Sequence, residues 1–416
     1  MHDIRSYAAV TGAYWAFTLT DGALRMLVLL HFHQLGFTPL DLALLFLLYE
    51  AMGIVTNAVG GWIGARFGLR LTLHAGLTIQ IIALMMLSGV NPQWTLPMSV
   101  AYVMVAQALS GCAKDLTKMS SKSAVKLVVA DDNQGLLFKW IALLTGSKNA
   151  LKGLGFLLGG VMLSALGFAV SLWSMAAMLA VVLVFAIATI RADLGKSKSP
   201  IGKRDLFSKS REINLLSAAR IALFASRDVW FVVGVPVYLY ETLGWSFDQV
   251  GGFMALWIIG YGCVQALVPR LLKDANNAAS AARAATVWGF VLCVLPALIA
   301  TALNLGATQP MTRWVVLGGL LVFGIVFAIN SSLHSYLIVA YSDHDKVALN
   351  VGFYYMANAA GRLAGTALSG LTYQWAGLQA CLWVSAAMVL AAAAIAMRLP
   401  RTNASSDVPH VSRQSS

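Results

Sequence analysis

The chain has 416 residues, 59% of them hydrophobic and 11% charged, with a formal net charge of +12. A soluble globular domain of this length cannot hide that much apolar surface, which excludes the soluble classes and leaves an integral membrane protein. In such a chain the basic excess reports which side of a bilayer each loop occupies, so it is no sign of a nucleic-acid partner.

The first predicted element covers about residues 8–34 and carries Asp21 and Arg25, too long and too charged for a cleavable signal peptide. Apolar stretches long enough to cross a bilayer as helices follow at about 39–65, 72–90, 96–116, 137–164 and 168–190. "RADLGKSKSPIGKRDLFSKSRE", 191–212, then breaks the pattern and reads as a solvated linker. Six more stretches are predicted at about 213–241, 249–270, 283–303, 313–340, 347–373 and 377–398, and the polar tail 400–416 is expected to be disordered. The expected architecture is all-α, twelve transmembrane helices in two pseudo-symmetric six-helix bundles, 1–190 and 213–399.

Connections on the linker's side carry Arg66, Arg70, Lys122, Lys126, Arg270, Lys273, Arg283 and Lys346, whereas Arg313 is the one basic candidate opposite. This asymmetry puts both termini and the linker on the cytoplasmic face. Cys112, Cys263, Cys293 and Cys381 lie far apart inside apolar segments, a pattern that is neither a disulfide framework nor a metal cluster. An internal repeat is visible: "GFLLGG" at 155–160 and "GRLAGT" at 361–366 share glycines four apart, at an offset of 206. Paired halves of this kind are the common plan of secondary transporters.

Charges near mid-membrane are costly, about 2.5–3.5 kcal/mol each on insertion scales, and mark functional paths. Arg25, Lys148, Lys152, Arg220, Arg227 and Arg362 stand there against Asp21, Glu50 and Asp228. The basic excess predicts an anionic small-molecule ligand, since Arg grips tetrahedral oxyanions with a planar fork and Lys with a point charge. Bland readings compete. Asp21 and Arg25, four apart, suit a self-contained helical pair. Arg220 is near enough to the membrane surface to snorkel. Lys148 and Lys152 have Glu50 or Asp228 as partners within the same set, and Arg362, beside Gly361, can bond a neighbouring carbonyl. Arg227 and Asp228 are adjacent and should diverge on a helix, with Arg227 toward the cavity.

Tyr354, Tyr355 and Asn358 match the lysine pair at the repeat offset and are expected to face it. Glu50 and Asp21 are the candidates for carrying a coupled proton. The run "KDLTKMSSKSAVK" at 114–126 spaces lysines at four-residue intervals, a basic stripe suited to the cytoplasmic mouth or to anionic lipid. "HFH" (His31, His33) reads as interfacial, and the polar "INSSLHSY" at 329–336 suits either cargo or helix contacts. No nucleophile, metal or cofactor motif appears, so no enzyme, catalytic residue, metal or cofactor is expected.

"GGWIGARFGLR", 60–70, resembles the signature loop of the major facilitator superfamily: Gly61, Arg66, Gly68 and Arg70 match, and the resemblance implies a gating role for them. Ala65 stands at that loop's Asp position, Gln107 of "QALSG" at the Arg position of the fourth-helix motif, and Phe156 where the fifth-helix motif has Pro. The longer stretches 13–37, 113–128, 143–153 and 226–239 resemble the arsenic-operon permeases called ArsJ. That resemblance implies a monomeric exporter of 1-arseno-3-phosphoglycerate conferring arsenate resistance. It also implies a functional link to the glyceraldehyde-3-phosphate dehydrogenase that makes this ester from arsenate. A general organophosphate or sugar-phosphate exchanger is the alternative, and a cationic-drug exporter conflicts with the basic excess.

Overall fold

The computed structural model describes residues 4–91, 93–124, 134–190, 210–271, 277–305, 309–342 and 347–400. Side chains at 4, 59–67, 69, 122–123, 134–146, 269–271, 309–310 and 347–349 lie outside the description. The expected readings of the linker as solvated and of the tail as disordered therefore fall almost wholly outside the described residues, as do Lys126, Lys273 and Lys346.

The described residues form helices α1 (Ile4–Gln34), α2 (Pro39–Ser88), α3 (Leu96–Ala124), α4 (Gln134–Leu166), α5 (Phe168–Thr189) and α6 (Arg211–Phe231). After them come α7 (Gly234–Glu241), α8 (Phe247–Leu271), α9 (Ala278–Asn304), α10 (Gln309–Ala340) and α11 (Val347–Ala396). Ten stretches among them are long and apolar enough to cross a membrane. α2 bends at Gly68, whose φ of 76° is open to glycine at little cost, and α11 bends at Ala376–Gly377, so each long helix crosses twice. α6 and α7 make one interrupted crossing. Pro236 has no N–H and crowds the carbonyl four residues back, and the Ser369 hydroxyl accepts the N–H groups of Val233 and Gly234 at 3.1 and 3.2 Å. With α1, which is not among the ten, and α11 counted twice, the described helices make twelve crossings, the number expected from the sequence.

Boundaries differ where polar residues belong inside. The fourth stretch runs to Ala124 rather than 116, because Lys114, Asp115 and Lys118 face the protein interior instead of ending the helix. α9 starts early, at Ala278, because the Asn277 side chain caps it by accepting the Ser280 N–H at 2.8 Å.

The repeat seen in sequence carries helix packing. Gly155 and Gly159 of α4 lie on the backbone of α1, and Gly361 and Gly365 of α11 lie on the backbone of α6. A Cβ at Gly155 would collide with the Leu19 carbonyl, and one at Gly361 with the Ile221 carbonyl. Between the halves, α4 packs on α8 and α2 on α11. The side opposite the linker is closed: the Leu40 N–H donates to Gln374 Oε1 at 3.1 Å, and His33 Nε2 lies 3.2 Å from Glu241 Oε1. α5 and α9, free of charge in their middles, expose apolar side chains such as Val181 (70%) and Leu298 (61%), as a lipid-facing helix does.

Gly155→Val and Gly361→Val should each lower the melting temperature of the detergent-solubilised protein, at a cost of about 1–3 kcal/mol for overpacking. Gly12→Ala, where an added Cβ meets nothing within 4 Å, should leave it unchanged or slightly raised.

Candidate functional site

A cavity of about 250 Å³ lies between the two halves. α1, α3, α6 and α10 line it, and so do residues of α2, α4, α8 and α11. Its floor toward the closed side is a chain of charges that no single helix could assemble. Glu50 of α2 takes Arg25 of α1 and Arg362 of α11 on the same oxygen, Oε1, each guanidinium Nη2 at 2.6 Å. Arg362 Nε continues to Asp228 Oδ2 of α6 at 3.4 Å, and Arg227 Nη2 closes on Asp228 Oδ1 at 2.5 Å. The order Arg25–Glu50–Arg362–Asp228–Arg227 runs from one half of the molecule into the other.

This chain corrects several expectations. Arg25 does not pair with Asp21 one turn away; it reaches Glu50. Asp21 instead accepts the Tyr49 hydroxyl at 2.5 Å and faces Lys152 Nζ at 3.9 Å. Lys152 is thus matched with Asp21 rather than with Glu50 or Asp228. Arg227 and Asp228 do not diverge: the Arg227 side chain folds back onto its neighbour's carboxylate, which its length permits. Arg362 meets carboxylates, not a backbone carbonyl. Glu50, a candidate proton carrier or lysine countercharge, is buried between two guanidiniums instead.

Arg220 does not snorkel. It is buried, with Nε donating to Asn358 Oδ1 at 3.2 Å and Nη1 to the Ser331 carbonyl and hydroxyl at 3.1 Å each. Its guanidinium carbon lies 3.9 Å from the Phe224 ring centroid and 4.8 Å from that of Tyr354. Among the described residues no carboxylate is within ion-pair range of Arg220. Tyr354 is therefore behind the wall, a buried support for Arg220 rather than a lining residue, whereas Tyr355 and Asn358 line the cavity. Lys148 and Lys152, one turn apart on α4, both line it too.

Among the charged lining residues Asp115 was not anticipated, and Lys114 and Lys118, expected as a stripe at the cytoplasmic mouth, lie inside the cavity. Lys114 places its ammonium 4.0 Å from the Tyr49 ring centroid. Asp115 accepts the Thr56 hydroxyl at 2.5 Å and faces Lys118 Nζ at 3.4 Å. Lys118 also donates to Asn57 Oδ1 at 3.1 Å. The signal was present in the lysine spacing of 114–126, but the helix was ended too soon. Of the signature loop, Gly68 makes the bend described above and Arg70 is half-buried, while the side chains of Gly61 and Arg66 lie outside the described residues.

Among the described residues the walls carry eight bases (Arg25, Lys114, Lys118, Lys148, Lys152, Arg220, Arg227 and Arg362). Asp21, Glu50 and Asp115 line the cavity with them, and Asp228 stands behind. The surplus is four positive charges in a low-dielectric site. Such a site can hold an anion in place.

A family model described as Major Facilitator Superfamily matches residues 10–333 and 221–415. The chain belongs to the major facilitator superfamily. It is a multi-pass membrane transporter rather than an enzyme. Among solved structures, the superfamily fold is shared with the nucleoside transporter NupG, at 14% identity and a TM-score of 0.74, covering 95% of this chain and 99% of that one. A bacterial homologue of the iron transporter ferroportin is similar in its outward-facing state, at 16% identity, TM-score 0.64 and coverage of 95% and 99%. Its inward-facing state is similar at 16% identity, TM-score 0.65 and coverage of 95% and 98%. At these identities the likeness shows the superfamily fold and not the cargo. No curated protein matches the chain.

Removing Asp228 from the charge chain should strand Arg227, whose carboxylate partner it is, while Arg362 keeps Glu50. Asp228→Asn should destabilise the protein by about 3–5 kcal/mol, the cost of leaving a buried charge uncompensated. Adding Arg227→Gln to that variant should restore part of the loss, as read by thermal unfolding of the two purified proteins.

Proposed function

We propose that this transporter exports an anionic phospho-organic cargo by alternating access, with the arsenate ester 1-arseno-3-phosphoglycerate as the cargo. The observation that carries the anionic part is the surplus of basic side chains around the cavity, with Arg220 held by neutral groups alone among the described residues. Each end of the ester, one a phosphate and one an arsenate, offers oxygens that a guanidinium fork can take two at a time. The arsenic-specific part is supported by the sequence stretches that resemble ArsJ. A general organophosphate exchanger has the same electrostatic support and differs only in its indifference to arsenic. A cationic-drug exporter has none, because these walls would repel its cargo.

The proposed working orientation puts both termini and the linker in the cytoplasm of a bacterium, with the chain acting as a monomer in the inner membrane. A glyceraldehyde-3-phosphate dehydrogenase would supply the ester. For proton coupling Asp21 is the better of the two acids. It is held by one hydroxyl and a lysine 3.9 Å away, whereas a proton on Glu50 would strand Arg25 and leave Arg362 only its longer contact with Asp228.

The test is uptake into everted membrane vesicles, with cargo generated in place by the dehydrogenase from glyceraldehyde 3-phosphate, an oxidised nicotinamide nucleotide as hydride acceptor, and either arsenate or phosphate. Arsenic should accumulate only when the dehydrogenase is present. Arg220→Gln and the Lys148→Ala/Lys152→Ala pair should each reduce accumulation about tenfold or more at equal membrane abundance, the effect of losing a charged hydrogen-bond donor. Equal accumulation of the phosphate product would make the protein a general exchanger, and full transport by both variants would sink the anion-binding reading.

A further inference from the structure

The position of Glu50 goes beyond pairing. A structural ion pair needs one partner, yet here guanidiniums from opposite halves converge on a single carboxylate oxygen at equal distances of 2.6 Å. Both arginines line the cavity, while the Glu50 side chain is 1% exposed and reaches them from the wall. The point held by Oε1 is where an oxygen of a bound phosphate would sit if two arginine forks gripped it from two sides. On the reading that the cargo is an anion, we infer that Glu50 is a built-in counter-anion that occupies the cargo's oxyanion seat in the empty carrier, so that cargo binds by displacing it from Arg25 and Arg362.

The inference has two physical consequences. The first is selectivity. Replacing a carboxylate by another monoanion leaves the charge at Arg25 and Arg362 unchanged, so small carboxylates gain little. A dianionic oxyanion adds charge where the walls are in excess, and it alone gains enough to displace Glu50. The second is coupling. The Glu50–Arg362 bond ties α2 to α11 across the seam between the halves, beside the α1–α2 bond from Arg25. Cargo that takes Arg362 unties the seam at the moment the seat is filled. Binding energy then goes into releasing one half from the other.

The experiment uses purified full-length protein and three probes: inorganic phosphate, 3-phosphoglycerate and acetate. Binding is read from calorimetry and from the rise of the melting temperature with probe concentration. Glu50→Gln should bind phosphate about tenfold more tightly than wild type, within the usual range for one coupled site, and should begin to bind acetate. Adding Arg362→Gln to that variant should abolish the gain. A Glu50→Gln protein that is merely unstable also decides the matter: millimolar phosphate must restore its melting temperature, and failure to do so overturns the inference. Unchanged or weaker phosphate binding by Glu50→Gln overturns it as well. If wild type binds 3-phosphoglycerate and the variant gains nothing, the cargo reading survives and the counter-anion does not. If the variant gains phosphate while 3-phosphoglycerate binds neither protein, the counter-anion survives and the proposed cargo class does not. Silence of both proteins toward every probe overturns both.

Discussion

Two guanidiniums from opposite halves of the molecule share one buried carboxylate oxygen, and most of the interior is arranged around that contact. Removing charges from water costs several kcal/mol per ion, and only close, well-directed pairing offsets it. The pairing at Glu50 therefore requires α1, α2 and α11 to meet at one depth to within a side chain's reach. Asp228 extends the requirement to α6. Four helices from both halves are located by a run of five side chains, and the cavity lies directly on that run.

Such proximity is possible only where helix backbones approach closely. The glycines at 155 and 159, and at 361 and 365, supply it twice, once in each half, by removing the side chain that would hold α4 off α1 and α11 off α6. Without a hydrophobic driving force between helices in lipid, this close backbone contact is a large part of what holds them. Lys152 and Arg362, which line the cavity, stand on the same helices as these glycines. Packing and site are thus one problem in this chain, and a methyl group at a seam would be felt at the ligand.

What remains after pairing is a surplus of positive charge rather than a neutral core. Arg220 is oriented by an amide, a hydroxyl, a carbonyl and two aromatic faces, all neutral, and among the described residues no carboxylate pairs with it. The superfamily fold alone would not require this, since its neighbours here are named for a nucleoside and for iron. Function in this fold lives in the side chains facing the cavity. Here those side chains are basic, and the far side of the cavity is shut by the contacts of His33 with Glu241 and Leu40 with Gln374.

The sequence by itself determined the membrane class, the number and order of crossings, the paired halves and the six intramembrane bases, because each depends on hydropathy or spacing along one chain. It also exposed the glycine repeat, whose meaning is local to a helix face. It missed Asp115, and it left Lys114 and Lys118 at the membrane surface, because a charged turn at a helix end and a charged turn facing a cavity read alike in one dimension. Only the tertiary structure decided partners: Arg25 with Glu50 and not Asp21, Lys152 with Asp21, Arg227 with its own neighbour, Tyr354 behind the wall. The reason is physical. An ion pair across a bundle is fixed by the depth and rotation of two different helices, and neither is encoded in the spacing of residues within one.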